Sequence, residues 1–172
     1  MLKSTHNSLE VSAVEKVARF EKISLDRYIN DAGAEAAESY DGIKLPRRAT
    51  AHSAGYDFFA PTDVFLPAGG SAVVKTGVRA FMKEGWALLI YPRSGLGFKL
   101  GIRLANTVGV IDGDYCFSDN EGHIMIKLVN GGDSSVTLSA GTAVAQGIFT
   151  PYGITEDDCA TAARNGGFGS TD

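Results

Sequence analysis

The sequence predicts an all-β sandwich or barrel, and two observations support this fold class. After about residue 42, glycine and β-branched residues dominate, and short apolar runs recur between Gly, Pro, Asn and Asp. Short strands separated by turn signals at this cadence are typical of sandwiches and barrels. In addition, the sequence shows no glycine-free helical pattern long enough to build a core. We therefore expect a β-structured core over residues 42–155.

The first 41 residues differ from this core in composition, and we interpret them as an N-terminal extension. Their apolar residues recur at a spacing of three, at Val14, Val17, Phe20 and Ile23. This spacing suits a helix, but the residues around 19–24 also alternate as a strand does, so both remain open for 17–23. Ser24 is a typical N-cap for a short helix near 25–31. The stretch AGAEAAESYDG that follows is interpreted as a linker.

Within the core, glycine-bounded runs mark the strands. In chain order they are AGYDFFA, SAVVKTGVRAF, WALLIYP, TVGVID, HIMIKLVN and SSVTLSAGTAVAQGIF. The stretch after Pro151 is acidic and then glycine-rich, and it carries no strand pattern.

The composition limits the classes of function. A chain of 172 residues fits one domain with short appendages. A formal net charge of −4 argues against a general nucleic-acid binder, although it leaves room for one phosphate pocket built from a few arginines. The apolar runs are too short to span a bilayer, and the N-terminus lacks a signal pattern, so we expect a cytoplasmic protein. The two cysteines and three histidines show no disulfide or metal-ligand spacing.

The stretch PRSGLGFK has the composition of a phosphate-binding turn. Glycines let backbone N–H groups converge on an anion, and Arg93 and Lys99 add positive charge. The spacing of glycines and lysine is not that of a Walker loop. A β-turn with exposed basic residues remains an equal alternative.

The stretch NTVGVIDGDYC carries carboxylates at a turn. Asp112-Gly113 is a hairpin signal, and a carboxylate beside a phosphate site could orient an attacking water. Tyr115 could pack on a sugar or a base. An ordinary hairpin turn explains the same residues as well.

Two polar side chains interrupt apolar strand patterns. Asp57 lies in AGYDFFA and Gln146 lies in AQGIF. Either residue could contact a ligand, or it could face solvent or satisfy neighbouring backbone groups. The chain then closes on RNGGFGST, an unusual end because it places one arginine and one aromatic residue among glycines.

In this order, AGYDFFA, PRSGLGFK, NTVGVIDGDY, AQGIF and RNGGFGST resemble the five motifs of the trimeric deoxyuridine triphosphate nucleotidohydrolases (dUTPases). The resemblance covers residues 42–172, and the N-terminal segment and DNEGH resemble the variant of firmicute bacteria and their phages. It implies a distorted jelly-roll-like β-barrel with a mobile C-terminal arm over 156–172. It also implies a homotrimer with shared active sites that hydrolyses dUTP to dUMP and pyrophosphate with Mg²⁺. Such an enzyme keeps uracil out of DNA and supplies dUMP for thymidylate synthesis.

The resemblance also implies a role for each matching residue. Asp112 would orient the water that attacks the α-phosphorus, and Asp57 would hold Mg²⁺ through water. Tyr115 would pack on deoxyribose and exclude a 2′-hydroxyl, and Gln146 would lie near the phosphates. The implied phosphate-binding turn comprises Arg93, Ser94 and Gly95. The implied uracil-binding hairpin comprises Asn106, Gly109, Val110, Ile111 and the surroundings of Met125. The implied C-terminal arm residues are Arg164, Phe168, Gly169, Ser170 and Thr171.

This chain departs from the family pattern after Tyr115, where CFSDNE replaces a single residue of many relatives. The insert, residues 116–121, lengthens the expected hairpin and is a possible contact for a protein partner. Three alternatives stay open: a dCTP deaminase of the same fold, a phage regulatory protein that binds a repressor, and a structural trimer with a dead site. PRSGLG and VIDGDY favour hydrolysis, and no direct nucleic-acid binding or membrane contact is expected.

Overall fold

The computed structural model describes residues 14–162 and residue 166, and short β-strands dominate this part of the chain. The strands are β1 (Ala18–Lys22), β2 (Arg47–Arg48), β3 (Tyr56–Phe59), β4 (Val64–Leu66), β5 (Ser71–Lys75), β6 (Val78–Met82), β7 (Trp86–Pro92), β8 (Ile102–Leu104), β9 (Gly109–Ile111), β10 (Met125–Asn130), β11 (Val136–Leu138) and β12 (Ala143–Pro151). The helices are α1 (Leu25–Ala32) and α2 (Ser94–Leu100), and two 3-10 helices span Ala34–Ser39 and Tyr115–Phe117. The predicted all-β class is confirmed. None of the described helices is long and apolar enough to cross a membrane.

The strands form an antiparallel framework around one apolar core. Among the described residues, the largest sheet has the order β2-β3-β12-β7-β9, and a second sheet has the order β5-β10-β8. Strand β12 lies at the centre of the larger sheet, between β3 and β7. Gly147 of β12 is needed there, because a Cβ atom would lie 2.8 Å from both Leu88 Cδ1 and Phe58 Cε2. Phe58 and Leu88 are fully buried in the core.

The described part of the N-terminal extension packs on this core. Residues 18–22 form β1, which pairs with β6, so the strand alternative is the correct one. Helix α1 begins after Ser24, whose Oγ accepts a hydrogen bond from the Arg27 N–H at 3.1 Å, and the predicted N-cap is confirmed. The linker interpretation of residues 32–42 is wrong: it contains a 3-10 helix, and Ala36 is buried in the core. Small alanines allow this close packing without an apolar periodicity.

The predicted hairpin at Asp112-Gly113 is also wrong. Strand β9 pairs with β7, whereas the next strand, β10, pairs with β5 and β8. The chain after Asp112 turns into the 3-10 helix Tyr115–Phe117 instead of returning along β9. The Asp-Gly pair signals a turn, but long-range pairing decides which strands that turn joins.

A buried histidine joins the N-terminal extension to the core. His123 is 0% exposed, and its Nδ1 lies 2.6 Å from Asp31 Oδ2 on α1. Its Nε2 accepts a hydrogen bond from the Gly77 N–H at 2.9 Å, so Nδ1 carries the proton and donates to Asp31. Asp31 also pairs with Arg27. Burial lowers the pKa of His123, although the hydrogen bond to Asp31 opposes the shift.

This histidine predicts a loss of stability in mild acid. Because the pKa of folded His123 lies below its ordinary value of 6.5, the unfolded chain binds more protons once the pH falls below that value. The free energy of unfolding should therefore fall with pH, by at most about 1.4 kcal/mol per pH unit from this group. Urea unfolding at pH 7.5, 6.5 and 5.5 measures the slope. His123→Gln should flatten it, whereas His52→Gln, at an exposed site, should not. Equal slopes in both variants would contradict this assignment.

Candidate active site

Three of the sequence-predicted polar residues meet at one end of the large sheet. Gln146 of β12 lies directly between Asp57 of β3 and Tyr91 of β7 in the strand register. Arg93 follows β7, and its Nη1 lies 3.1 Å from Asp57 Oδ2. The Gln146 Nε2 donates to the Pro92 carbonyl oxygen at 3.2 Å. Asp57, Arg93 and Gln146, together with Ser94 and Gly95, are called the polar corner below.

The polar corner is arranged as an anion site with one carboxylate. The stretch expected to form a flexible Gly-Leu-Gly turn folds instead as helix α2, which ends at Gly101 with a φ of 65°. Ser94 and Gly95 open this helix and are exposed. The Arg93 side chain is 38% exposed and the Asp57 side chain 18% exposed, so the guanidinium faces solvent beside a held carboxylate. A planar guanidinium in this position suits the oxygens of a phosphate group.

A cavity of about 480 Å³ collects all the residues implied to bind uracil. Those residues are Asn106, Gly109, Val110, Ile111 and Met125. Its other walls are largely apolar and include Val73, Ile90, Leu104 and Ile126. We call this space the main cavity. Its volume and its apolar walls with few polar groups suit one small organic ligand.

The turn between β8 and β9 forms one lip of the main cavity and is strained. The Val108 N–H donates to the Asn106 carbonyl oxygen at 2.6 Å, which closes a γ-turn around Thr107. Thr107 has a φ of 62°, which is a costly conformation for a β-branched residue. The sequence gives no sign of this strain, because threonine is not a residue that favours a positive φ. Strain of this kind fixes the direction in which the neighbouring Asn106 is presented.

Thr107→Gly tests whether this strain serves binding. Glycine adopts a positive φ at little cost, so the variant should be as stable as the wild type or about 1 kcal/mol more stable. The looser turn should at the same time raise KM roughly three- to tenfold with little change in kcat. Thermal unfolding and steady-state kinetics measure the two effects. A stabilised variant with an unchanged KM would show that the strain is not used by the site.

Asp112 lies far from the polar corner within one chain. Ile111 pairs with Leu88, so Asp112 lies level with Ala87, and both line a smaller cavity beside the main one. The polar corner lies level with Tyr91, near the other end of β7. Asp57 and Asp112 are also separated by three strand spacings, which places them on the order of 20 Å apart. One chain therefore does not bring these two carboxylates to the same phosphate.

Tyr115 is buried and does not line the main cavity. Its ring is 5% exposed, and its hydroxyl donates to the His123 carbonyl oxygen at 3.0 Å. It nevertheless lies between two cavity walls, because residues 109–111 precede it and residues 124–127 follow His123. The insert after Tyr115 folds against the ring, a feature that sequence reasoning missed because the insert has no strand or helix pattern.

The remaining predicted residues belong to the C-terminal arm and lie outside the described residues. They are Arg164, Phe168, Gly169, Ser170 and Thr171. Within residues 14–162, no group of three or more His, Cys, Asp or Glu side chains is placed to hold a metal ion. Asp57 is the carboxylate of the polar corner.

The chain is similar to known dUTPases along most of its length. The dUTPase family model matches residues 41–172. The deoxyuridine 5′-triphosphate nucleotidohydrolase of Lactococcus lactis subsp. lactis is 41% identical over 144 residues, which is 81% of this chain and 96% of that protein. The same enzyme of Escherichia coli O9:H4 is 41% identical over 133 residues, which is 73% of this chain and 85% of that protein.

Solved structures show the same likeness. The dUTPase from Streptococcus mutans has a TM-score of 0.65 and 40% identity, and the match covers 80% of this chain and 98% of that one. The dUTPase from phage phi11 of S. aureus, which coordinates a structural Mg(II) ion, has a TM-score of 0.63 and covers 86% of this chain and 98% of that one. At 19% identity, the phage enzyme supports the fold alone. The predicted jelly-roll-like barrel is confirmed.

Proposed function

The chain belongs to the dUTPase family, and from this premise we propose that it hydrolyses dUTP to dUMP and pyrophosphate. The observation that carries this proposal is the main cavity, where all the residues implied to bind uracil converge in a chain that matches the family over residues 41–172. The named relatives do not favour the deaminase, regulatory or dead-site alternatives. The reaction would keep uracil out of DNA and supply dUMP for dTMP synthesis.

In this proposal the main cavity selects the base. Backbone N–H and C=O groups of Gly109–Ile111, with the Asn106 amide, would read the hydrogen-bonding edge of uracil. Cytosine presents a donor where uracil presents an acceptor, so it would leave a buried group unpaired and bind far more weakly. The thymine methyl group would collide with the cavity wall, which rejects dTTP by clash.

Hydrolysis would proceed by water attack on the α-phosphorus. Asp112 would orient this water and accept its proton, because a carboxylate at the rim of the base site lies near the first phosphate of a bound nucleotide. Arg93, with the exposed start of α2 and Gln146, would hold the phosphate chain and stabilise the charge that develops on it. Pyrophosphate would then leave from the polar corner.

Magnesium fits this arrangement through the substrate. Mg²⁺ prefers phosphate oxygens and water, and it needs few protein carboxylates. Asp57 is the carboxylate that would contact it through water, which agrees with the lack of a dense carboxylate cluster among residues 14–162. When bound, Mg²⁺ neutralises charge on the phosphates. Asp57 itself is held in place by Arg93 at 3.1 Å.

A homotrimer with shared sites would bring the separated carboxylates together. Asp112 and the polar corner lie on the order of 20 Å apart in one chain, so a complete site needs Asp112 from one subunit and the polar corner from another. The C-terminal arm would then cover the nucleotide, with Phe168 on the base and Arg164 and Ser170 on the γ-phosphate. Gly169 would let the arm approach closely.

The other expectations stay proposals. We place the enzyme in the cytoplasm, without membrane contact and without direct nucleic-acid binding. A protein partner at the insert would meet Phe117, whose ring is 77% exposed.

The proposed activity is tested by pyrophosphate release from dUTP, dCTP, dTTP and UTP in parallel, with Mg²⁺ and with EDTA. We expect fast turnover of dUTP, slower by about 100-fold or more for the other nucleotides, and a large loss with EDTA. Ammonia released from dCTP would instead identify a deaminase. No turnover of any nucleotide would overturn the proposal.

A further inference from the structure

The insert after Tyr115 closes around the hydroxyl of this tyrosine. The Asn120 Nδ2 donates to Tyr115 Oη at 2.8 Å, and Tyr115 Oη donates in turn to the His123 carbonyl oxygen at 3.0 Å. The Asn120 Oδ1 accepts from the Gly122 N–H at 3.1 Å, which fixes the orientation of the amide. The tyrosine ring is therefore held at its far end by two hydrogen bonds from the insert side of the chain.

The insert is itself anchored at its C-terminal end. The Glu121 carboxylate accepts hydrogen bonds from Ser24 N at 2.8 Å and from Ser24 Oγ at 2.5 Å, at the start of α1. Gly122 has a φ of 70°, and a Cβ atom there would lie 2.5 Å from Cys116 Cα, so the turn is tightly packed. His123 then joins Asp31 and the Gly77 N–H as described above. These contacts make the insert part of a rigid frame that runs from α1 to Tyr115.

This frame stands beside the substrate site. Tyr115 follows the cavity wall 109–111, and its N–H donates to the Asp112 carbonyl oxygen at 3.2 Å. The acceptor of its hydroxyl, His123, directly precedes Ile124 and Met125, which line the opposite wall. A movement of the ring would therefore be felt at both walls of the main cavity.

We propose that Asn120 is a positioning residue that holds the Tyr115 ring in place and thereby sets the preference for deoxyribonucleotides over ribonucleotides. The inference rests on the proposed function, in which Tyr115 packs on the sugar. Exclusion of a single hydroxyl group requires a wall that stays in place to within a fraction of an ångström, and a ring held at its far end meets this requirement. A ring that loses the Asn120 contact can tilt and make room for the 2′-hydroxyl.

The test compares kcat/KM for dUTP with kcat/KM for UTP in the wild type and in variants of the intact protein. Asn120→Asp keeps the acceptor for the Gly122 N–H but loses the donor to Tyr115, and Asn120→Ala loses both. Both variants should lower the dUTP/UTP ratio about tenfold, chiefly by faster UTP turnover, with kcat for dUTP within about threefold of the wild type. Tyr115→Phe should lower the ratio by a similar factor. Asn120→Ala should add less than about twofold in the Tyr115→Phe background, since both changes break the same contact.

Asn130→Ala is the matched control. Asn130 is also a buried amide that bridges backbone groups, because its Nδ2 donates to the Leu66, Pro67 and Ser134 carbonyl oxygens. This variant should lower the melting temperature without changing the dUTP/UTP ratio. An unchanged ratio in folded Asn120→Asp, or full additivity with Tyr115→Phe, would overturn the inference. A wild type that hydrolyses neither nucleotide would overturn the proposed function instead, so the two failures are distinguishable.

Discussion

Asp112→Asn is expected to lower kcat for dUTP by roughly 1,000-fold and to leave the affinity for a non-hydrolysable dUTP analogue within about threefold. The amide keeps the shape of the side chain but cannot accept a proton from the attacking water, and groups in this role contribute about 10²- to 10⁴-fold to the rate. The effect should fall on kcat because Asp112 acts on the water and not on the base, which is held in the main cavity. Single-turnover hydrolysis and equilibrium binding of the analogue measure the two quantities.

Asp114→Asn is the control for this prediction. Asp114 is a second carboxylate, two residues along the chain, and it is exposed. This variant should keep nearly the full rate. If the loss occurred in Asp114→Asn and not in Asp112→Asn, the assignment of the water-orienting carboxylate would be wrong.

Arg93→Ala is expected to lower kcat/KM for dUTP by about 100- to 1,000-fold, which is the usual loss when one group that stabilises transition-state charge is removed. Arg93 contacts Asp57 at 3.1 Å and stands at the start of α2, so its removal leaves both the phosphates and the carboxylate of the polar corner without this partner. Steady-state kinetics with dUTP over a range of Mg²⁺ concentrations measure the loss.

Arg93→Lys separates shape from charge. A lysine supplies a point charge but cannot form a two-pronged contact, so it should recover little of the lost activity. Arg103→Ala, at an exposed arginine of β8 on the other sheet, should leave kcat/KM unchanged. Full activity of Arg93→Lys would show that charge alone is sufficient at this position.

Local patterns in the sequence predicted the parts of this molecule that depend on local physics. Alternating apolar residues and turn signals predicted the strands, and the N-cap at Ser24 predicted the start of α1. The resemblance to ordered family motifs predicted that Asn106, Gly109–Ile111 and Met125 would share a site, and they line one cavity.

Features that depend on contacts between distant segments could not be predicted in the same way. The alignment of Asp57, Gln146 and Tyr91 follows from the pairing of three strands that are far apart in sequence. Helix α2 replaced the expected turn because tertiary context outweighs the low helix propensity of glycine. The bracing of Tyr115 by Asn120 requires the fold of an insert that has no sequence pattern of its own.

The most direct test of the shared active site is complementation between two inactive variants. Asp112→Asn and Arg93→Ala, unfolded together in equal amounts and refolded, would form mixed trimers. If each site takes Asp112 from one subunit and Arg93 from another, about a quarter of the sites regain both residues, so the mixture should recover roughly a quarter of wild-type dUTP turnover. Refolding of each variant by itself is the control and should recover almost none. If the mixture were as inactive as its components, Asp112 and Arg93 would act within one chain and the shared site would be refuted.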